Sequence, residues 1–63
     1  MVKVLFRDDE WELPHGMAVR DVIHKLGLDP QLILALREGK LVNEETITRD
    51  KDVIKLVSVI SGG

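Results

Sequence analysis

The sequence has no cysteine and no tyrosine, and only one tryptophan and one phenylalanine. Without cysteine there can be no disulfide, no cysteine–zinc or iron–sulfur site and no thiol nucleophile. Two isolated histidines, His15 and His24, and scattered acids show no metal-ligand spacing, so no metal and no bound cofactor are expected. A strong charge of one sign is also missing. Nine Lys/Arg against eleven Asp/Glu leave −2, which offers no electrostatic reason to bind nucleic acid. The longest apolar run is short, Leu32–Leu36; neither a membrane span nor a secretory signal fits in it, and a cytoplasmic protein is expected. What remains is 63 residues, 44% hydrophobic and 32% charged. That suits one folded domain, with a small core, because a chain of this size buries only about 60% of its unfolded surface.

Val2–Arg7 (VKVLFR) reads as a strand with Val2, Val4 and Phe6 on one face and Lys3, Leu5 and Arg7 on the other. Asp8-Asp9 suits a tight turn, and Glu10–Pro14 (EWELP) alternates again, completing a hairpin that Pro14 ends. The period then changes. Val19, Val22, Ile23 and Leu26 fall at i, i+3, i+4 and i+7, the stripe of one amphipathic helix. Gly27 stands where a helix ends, but neither Met17 nor Ala18 is a good N-cap. Asp29-Pro30 is a turn, Leu32–Arg37 a short strand, and Glu38-Gly39 leads to a brief return strand at Lys40–Val42. Asn43–Asp52 is polar and irregular, with one helical turn expected near Glu44–Ile47, and Val53–Ile60 is the last strand. The order β-β-α-β-β-β predicts a two-layer α+β domain: one helix on a mixed four- to five-stranded sheet, with the first and last strands adjacent at its centre.

One helix covers one sheet face. In the last strand Lys55 should point to water, and parity sends Val57 and Val59 out with it. In the third strand one aliphatic pair must also face out, whichever parity holds. Leu34, Leu36, Val57 and Val59 therefore form a candidate patch, with Leu5 at its margin. Surface aliphatics are common on strands, but contiguous ones usually mark an interface.

Beyond the last strand comes Ser61-Gly62-Gly63. Two successive glycines at a chosen place should occur by chance in roughly one chain in 200. A flexible end would account for them, but not for stopping on glycine itself. An extended, side-chain-free tail can thread its carboxylate down a narrow channel to a nucleotide, where Cβ atoms would clash. Activation as an acyl-adenylate would make that carboxylate an electrophile.

The element order, the hydrophobic last strand and the terminal "SGG" resemble the ThiS/MoaD family of ubiquitin-like β-grasp sulfur carriers. "AVRDVIHKLGL" is similar to the family's helix segment, "LREGKLV" to its hairpin and "RDKDVIKLVSVISGG" to its closing strand and tail. Three departures stand out: Glu38-Gly39 where Asn-Gly is usual, Lys51 where glycine is usual before Asp52, and Ala18 where threonine is frequent. The resemblance implies a β-grasp domain over 1–60 and a flexible tail over 61–63. It also implies a monomeric protein co-substrate that is not itself an enzyme. A ThiF/MoeB-type enzyme would dock on the patch and use ATP to adenylate Gly63, with Gly62 and Ser61 threading into its active site. A persulfide donor would then convert the carboxylate to a thiocarboxylate for a sulfur-acceptor enzyme. Length favours thiazole synthase in thiamine biosynthesis as that acceptor, with the large subunit of molybdopterin synthase next; tRNA-thiolation carriers share the outline. Two alternatives stay open: a protein modifier whose activated glycine is attacked by lysine, and a β-grasp binding module with an incidental Gly-Gly.

Overall fold

The alternation at both ends of the chain is satisfied by one central pair of strands. In the computed structural model, which describes residues 1–59, β1 (Val2–Phe6) runs parallel to β5 (Val53–Ser58), with Val4 opposite Ile54. The expected reactive end, Ser61, Gly62 and Gly63, lies outside the described residues, as does Ile60. On either side come β2 (Asp9–Leu13), antiparallel to β1, and β3 (Ile33–Arg37), antiparallel to β5 and carrying β4 (Lys40–Val42) beyond it. The sheet order is β2-β1-β5-β3-β4, so the expected topology holds, with five strands.

Alternation buries Val2 and Val4 of β1, Ile33 and Ala35 of β3, and Ile54 and Leu56 of β5. Against them lies α1 (Val19–Lys25), whose Val19, Val22 and Ile23 are buried while Arg20, Asp21, His24 and Lys25 stay wet. Phe6 and Trp11 share the inner side but are only half-buried at its margin. The Arg7 guanidinium sits 5.1 Å from the centre of the Phe6 ring, where its charge meets the negative π face.

The helix has no side-chain cap: Ala18 precedes it in an extended conformation. Its free N–H groups are satisfied by a remote segment instead. Val19 N–H donates to the Thr46 carbonyl at 2.9 Å and Arg20 N–H to the Glu44 carbonyl at 2.8 Å. Thr48, the one fully buried polar residue among the described residues, locks this contact. Its backbone N–H and its hydroxyl both donate to the Met17 carbonyl, at 2.8 and 2.9 Å, and its hydroxyl oxygen accepts from Met17 N–H at 3.2 Å. The far end follows local rules. Gly27, at φ 79°, donates to the His24 carbonyl and Leu28 to the Ile23 carbonyl, the paired bonds of a Schellman cap.

Two local expectations change. The first hairpin turns on Arg7-Asp8, not Asp8-Asp9, because Phe6 pairs directly with Asp9 and Arg7 takes the left-handed conformation at φ 55°. No helical turn forms at Glu44–Ile47. The Asn43 side chain accepts from Glu45 N–H at 2.8 Å and its carbonyl from Thr46 N–H at 2.9 Å, closing a tight turn, and Ile47 then bridges to Ala18. An asparagine that bonds the backbone ahead of it competes with helix.

The polar stretch before β5 is tied to the sheet by Arg37, which lies on the inner side at the end of β3. Its guanidinium donates to the Asp52 carboxylate at 2.7 Å and the Ile47 carbonyl at 3.2 Å; the same Asp52 oxygen accepts from Arg49 N–H at 2.8 Å. The Asp52 carbonyl accepts from Lys3 N–H at 2.9 Å, where the parallel pairing begins. The departures from the family pattern now have a physical meaning. Glu38 (φ 53°) and Lys51 (φ 71°) both occupy left-handed backbone, which Asn and Gly adopt more readily than other residues. With Gly39 also at positive φ, the two-residue Glu38-Gly39 loop matches the turn that suits strand twist.

Replacing Lys51 by Gly should therefore raise stability by about 0.5–1 kcal/mol in denaturant titration, relieving left-handed strain net of glycine's extra unfolded freedom. A second expectation concerns pH. The Asp50 carboxyl is held below its usual range, first by a hydrogen bond from the Met1 ammonium and then by the charges of that ammonium and His15. A carboxyl with a depressed folded-state pKa stabilises the fold above the ordinary carboxylate range, and the contribution is lost as pH falls through the lowered value. Asp50→Asn should flatten the acid limb of Tm against pH, and added salt should shrink the difference, since the pair is exposed.

Candidate functional site

The sheet face away from α1 is built from alternate residues whose partners on the inner side form the core. Burial of Ile33, Ala35, Ile54 and Leu56 sends Leu34 and Leu36 of β3 and Val53, Lys55 and Val57 of β5 to the outer side. Pairing then sets neighbours. Leu34 stands directly opposite Val57, and Leu36 opposite both Lys55 on one side and Leu41 of β4 on the other. Leu5 of β1 stands opposite Lys55. Directly opposed side chains on one face have Cβ atoms ~4.5–5.5 Å apart, so these residues form one surface. Just past β5, Val59 N–H donates to the Leu32 carbonyl at 2.9 Å, which keeps Val59 beside the start of β3.

All four residues expected in the patch lie in this region. Leu34 and Val59 are exposed, at 42% and 47%, while Leu36 and Val57 are half-buried. Leu5 is half-buried opposite Lys55. Two members escaped the sequence reading: Leu41, the most exposed large aliphatic among the described residues at 64%, and Val53 at 48%. The signal for Val53 was its parity with Lys55. For Leu41 it was parity with Leu36 across the Glu38-Gly39 hairpin, legible once that loop is counted as two residues.

The charged side chains of this face are Lys55 on β5, Lys3 on β1, and Glu10 and Glu12 on β2. Lys3 pairs with Glu10 at 3.6 Å toward the β2 edge. No nucleophile–base pair lies on it, and among the described residues no group of three His or acidic side chains could hold a metal ion. His15 lies 3.8 Å from the Asp50 carboxylate, and His24 is exposed on the helix. On the opposite side of the molecule an open groove of about 470 Å³ runs between α1 and the β3–β4 hairpin. Its apolar floor (Val19, Ile23, Ile33, Ala35) is already core, and its rim includes Glu44 and Glu45. What the outer face can do is bind a flat, largely apolar surface. No helix among the described residues is long and apolar enough to cross a membrane.

Comparison with known proteins agrees with this geometry. TtuB of Thermus thermophilus, a sulfur carrier protein, is 35% identical over 54 residues, covering 86% of this chain and 83% of TtuB. SAMP1 from Haloferax volcanii shares the fold, with a TM-score of 0.65 over 98% of both chains at 18% identity. The sequence matches the ThiS family over residues 2–63, a stretch that takes in every strand, the helix and the final Gly-Gly. The chain belongs to the ThiS family of ubiquitin-like, β-grasp sulfur carrier proteins.

Proposed function

We propose that this protein carries sulfur on the carboxylate of Gly63 and that the outer sheet face docks it on the enzyme that activates that carboxylate. The observation that carries the reading is continuity. The strand that sets Val57 in the apolar face, β5, is also the strand from which Ser61-Gly62-Gly63 continues in sequence. A partner that grips the face is thus a few residues from the terminal carboxylate.

The chemistry follows from that group. The carboxylate attacks the α-phosphorus of ATP on a ThiF/MoeB-type enzyme, releasing pyrophosphate and leaving an acyl-adenylate. The terminal sulfur of a persulfide then displaces AMP. A thiol cleaves the S–S bond of the resulting acyl disulfide, taking the donor sulfur into a new disulfide and leaving the thiocarboxylate. Within this scheme the protein is a substrate of other enzymes, and Gly62 and Ser61 supply thin reach. Three destinations share this outline, tRNA thiolation, the thiamine thiazole that chain length favoured and the molybdopterin dithiolene, and the likeness to the sulfur carrier TtuB supports the carrier role that all three need. The aliphatic outer face, with Phe6 and Trp11 on the other side of the sheet, speaks against a stacking surface for bases.

With its cognate adenylating enzyme, ATP and a sulfur donor, the wild-type protein should show replacement of one oxygen by sulfur in its intact mass, and the chain lacking Gly63 should not. No mass change in the wild type, or the same change in both chains, would end the carrier reading. A ladder of isopeptide-linked targets would point instead to attack by lysine. Leu36→Asp or Val57→Asp should weaken docking on that enzyme by about 30-fold or more, the scale of an interface hot spot. Each should cost about 1 kcal/mol or less in stability, because both side chains stand on the outer face. Titration calorimetry and thermal denaturation measure the two effects separately.

A further inference from the structure

Lys55 occupies the middle of the outer face. Leu5 of β1 stands opposite it on one side and Leu36 of β3 on the other, and Val53 and Val57 flank it on its own strand face. Its side chain therefore rises from among aliphatic residues. The ion pairs among the described residues leave it out, whereas Lys3, the neighbouring cation on this face, already has Glu10. A partner that covers Leu34, Leu36 and Val57 must also take Lys55 out of water. Covering a charge with apolar surface is strongly unfavourable unless an opposite charge meets it.

We propose that the protein partner docking on this face presents a carboxylate to Lys55 from within a largely apolar footprint, so that Lys55 selects among partners by charge. The inference rests on the docking reading above and adds the chemistry of the partner. A second copy of this chain is a poor occupant. Packed face to face about a two-fold axis through the middle of the face, it would bring two Lys55 ammoniums together, and the outer-face acids Glu10 and Glu12 lie on the edge strand β2. Apolar contacts can hold many surfaces, but a central unpaired ammonium penalises every partner that lacks a matching acid.

The test is the sign of a neutral substitution. Using the full chain and its cognate adenylating enzyme, Kd is measured for wild type, Lys55→Met, Lys55→Glu and Leu36→Asp at low and high salt. Lys55 is exposed, so its variants should keep the wild-type Tm. If a carboxylate faces it, Lys55→Met should weaken binding by about tenfold or more, because the partner's acid is left covered and unpaired. Lys55→Glu should weaken it further, and only the lysine form should lose its advantage in salt. If the facing surface is apolar, Lys55→Met should bind equally or more tightly, which overturns the proposal. Leu36→Asp separates the two readings. Lost binding there with a neutral Lys55→Met removes the carboxylate alone, and wild-type affinity in both removes the docking face as well.

Discussion

The helix that covers the sheet is short and uncapped at its start, and its position depends on hydrogen bonds from a segment more than twenty residues away in sequence. Carbonyls of Glu44 and Thr46 accept from the first turn, and Thr48 closes the joint against Met17 with two donors and one acceptor. A helix of seven residues is too short to persist alone in water, where about 12–15 are marginal. Packing and this backbone clasp have to do what propensity does not. The clasp also places the irregular 43–52 segment, because its polar groups need partners once Thr48 is buried.

The same segment prepares the central strand pair. Asp52 accepts from Arg37 and Arg49 with its side chain and from Lys3 with its carbonyl, so the start of β5 is held against both β1 and β3. From there the register follows, and the register makes the outer face. With one helix for five strands, one sheet surface has no cover within the described residues. Fixing β5 between β1 and β3 decides which aliphatic residues share that surface and sets Lys55 among them. A fold with so few elements thus leaves a partly aliphatic sheet face exposed as a by-product of its own pairing.

The strand parities were legible because the period of two is a local property. Lys55 marks the wet side of β5, and every residue of that strand falls into place from it. The helix stripe was legible for the same reason, and Gly27 announced its end. The start of the helix was not, because Ala18 carries no capping group and the carbonyls that serve it come from Glu44 and Thr46. Glutamates and threonine after Asn43 read as a helical turn until the asparagine side chain is seen closing a tight turn there. Leu41 was missed because three residues of β4 give too little alternation to read; only pairing with Leu36 assigns its face.

By itself, then, the sequence determined the kinds and order of the elements, the apolar stripe of the helix, the two faces of each long strand and the Ser61-Gly62-Gly63 ending that resembles a carrier's reactive arm. Those features are written in short-range periodicity and in the choice of residue at one place. Only the tertiary structure decided what caps the helix, why Glu38 and Lys51 bear left-handed backbone, and which aliphatic residues meet around Lys55. Each of these depends on pairing between segments far apart in the chain, and such pairing is set by the packing of the whole core, with no local period to record it.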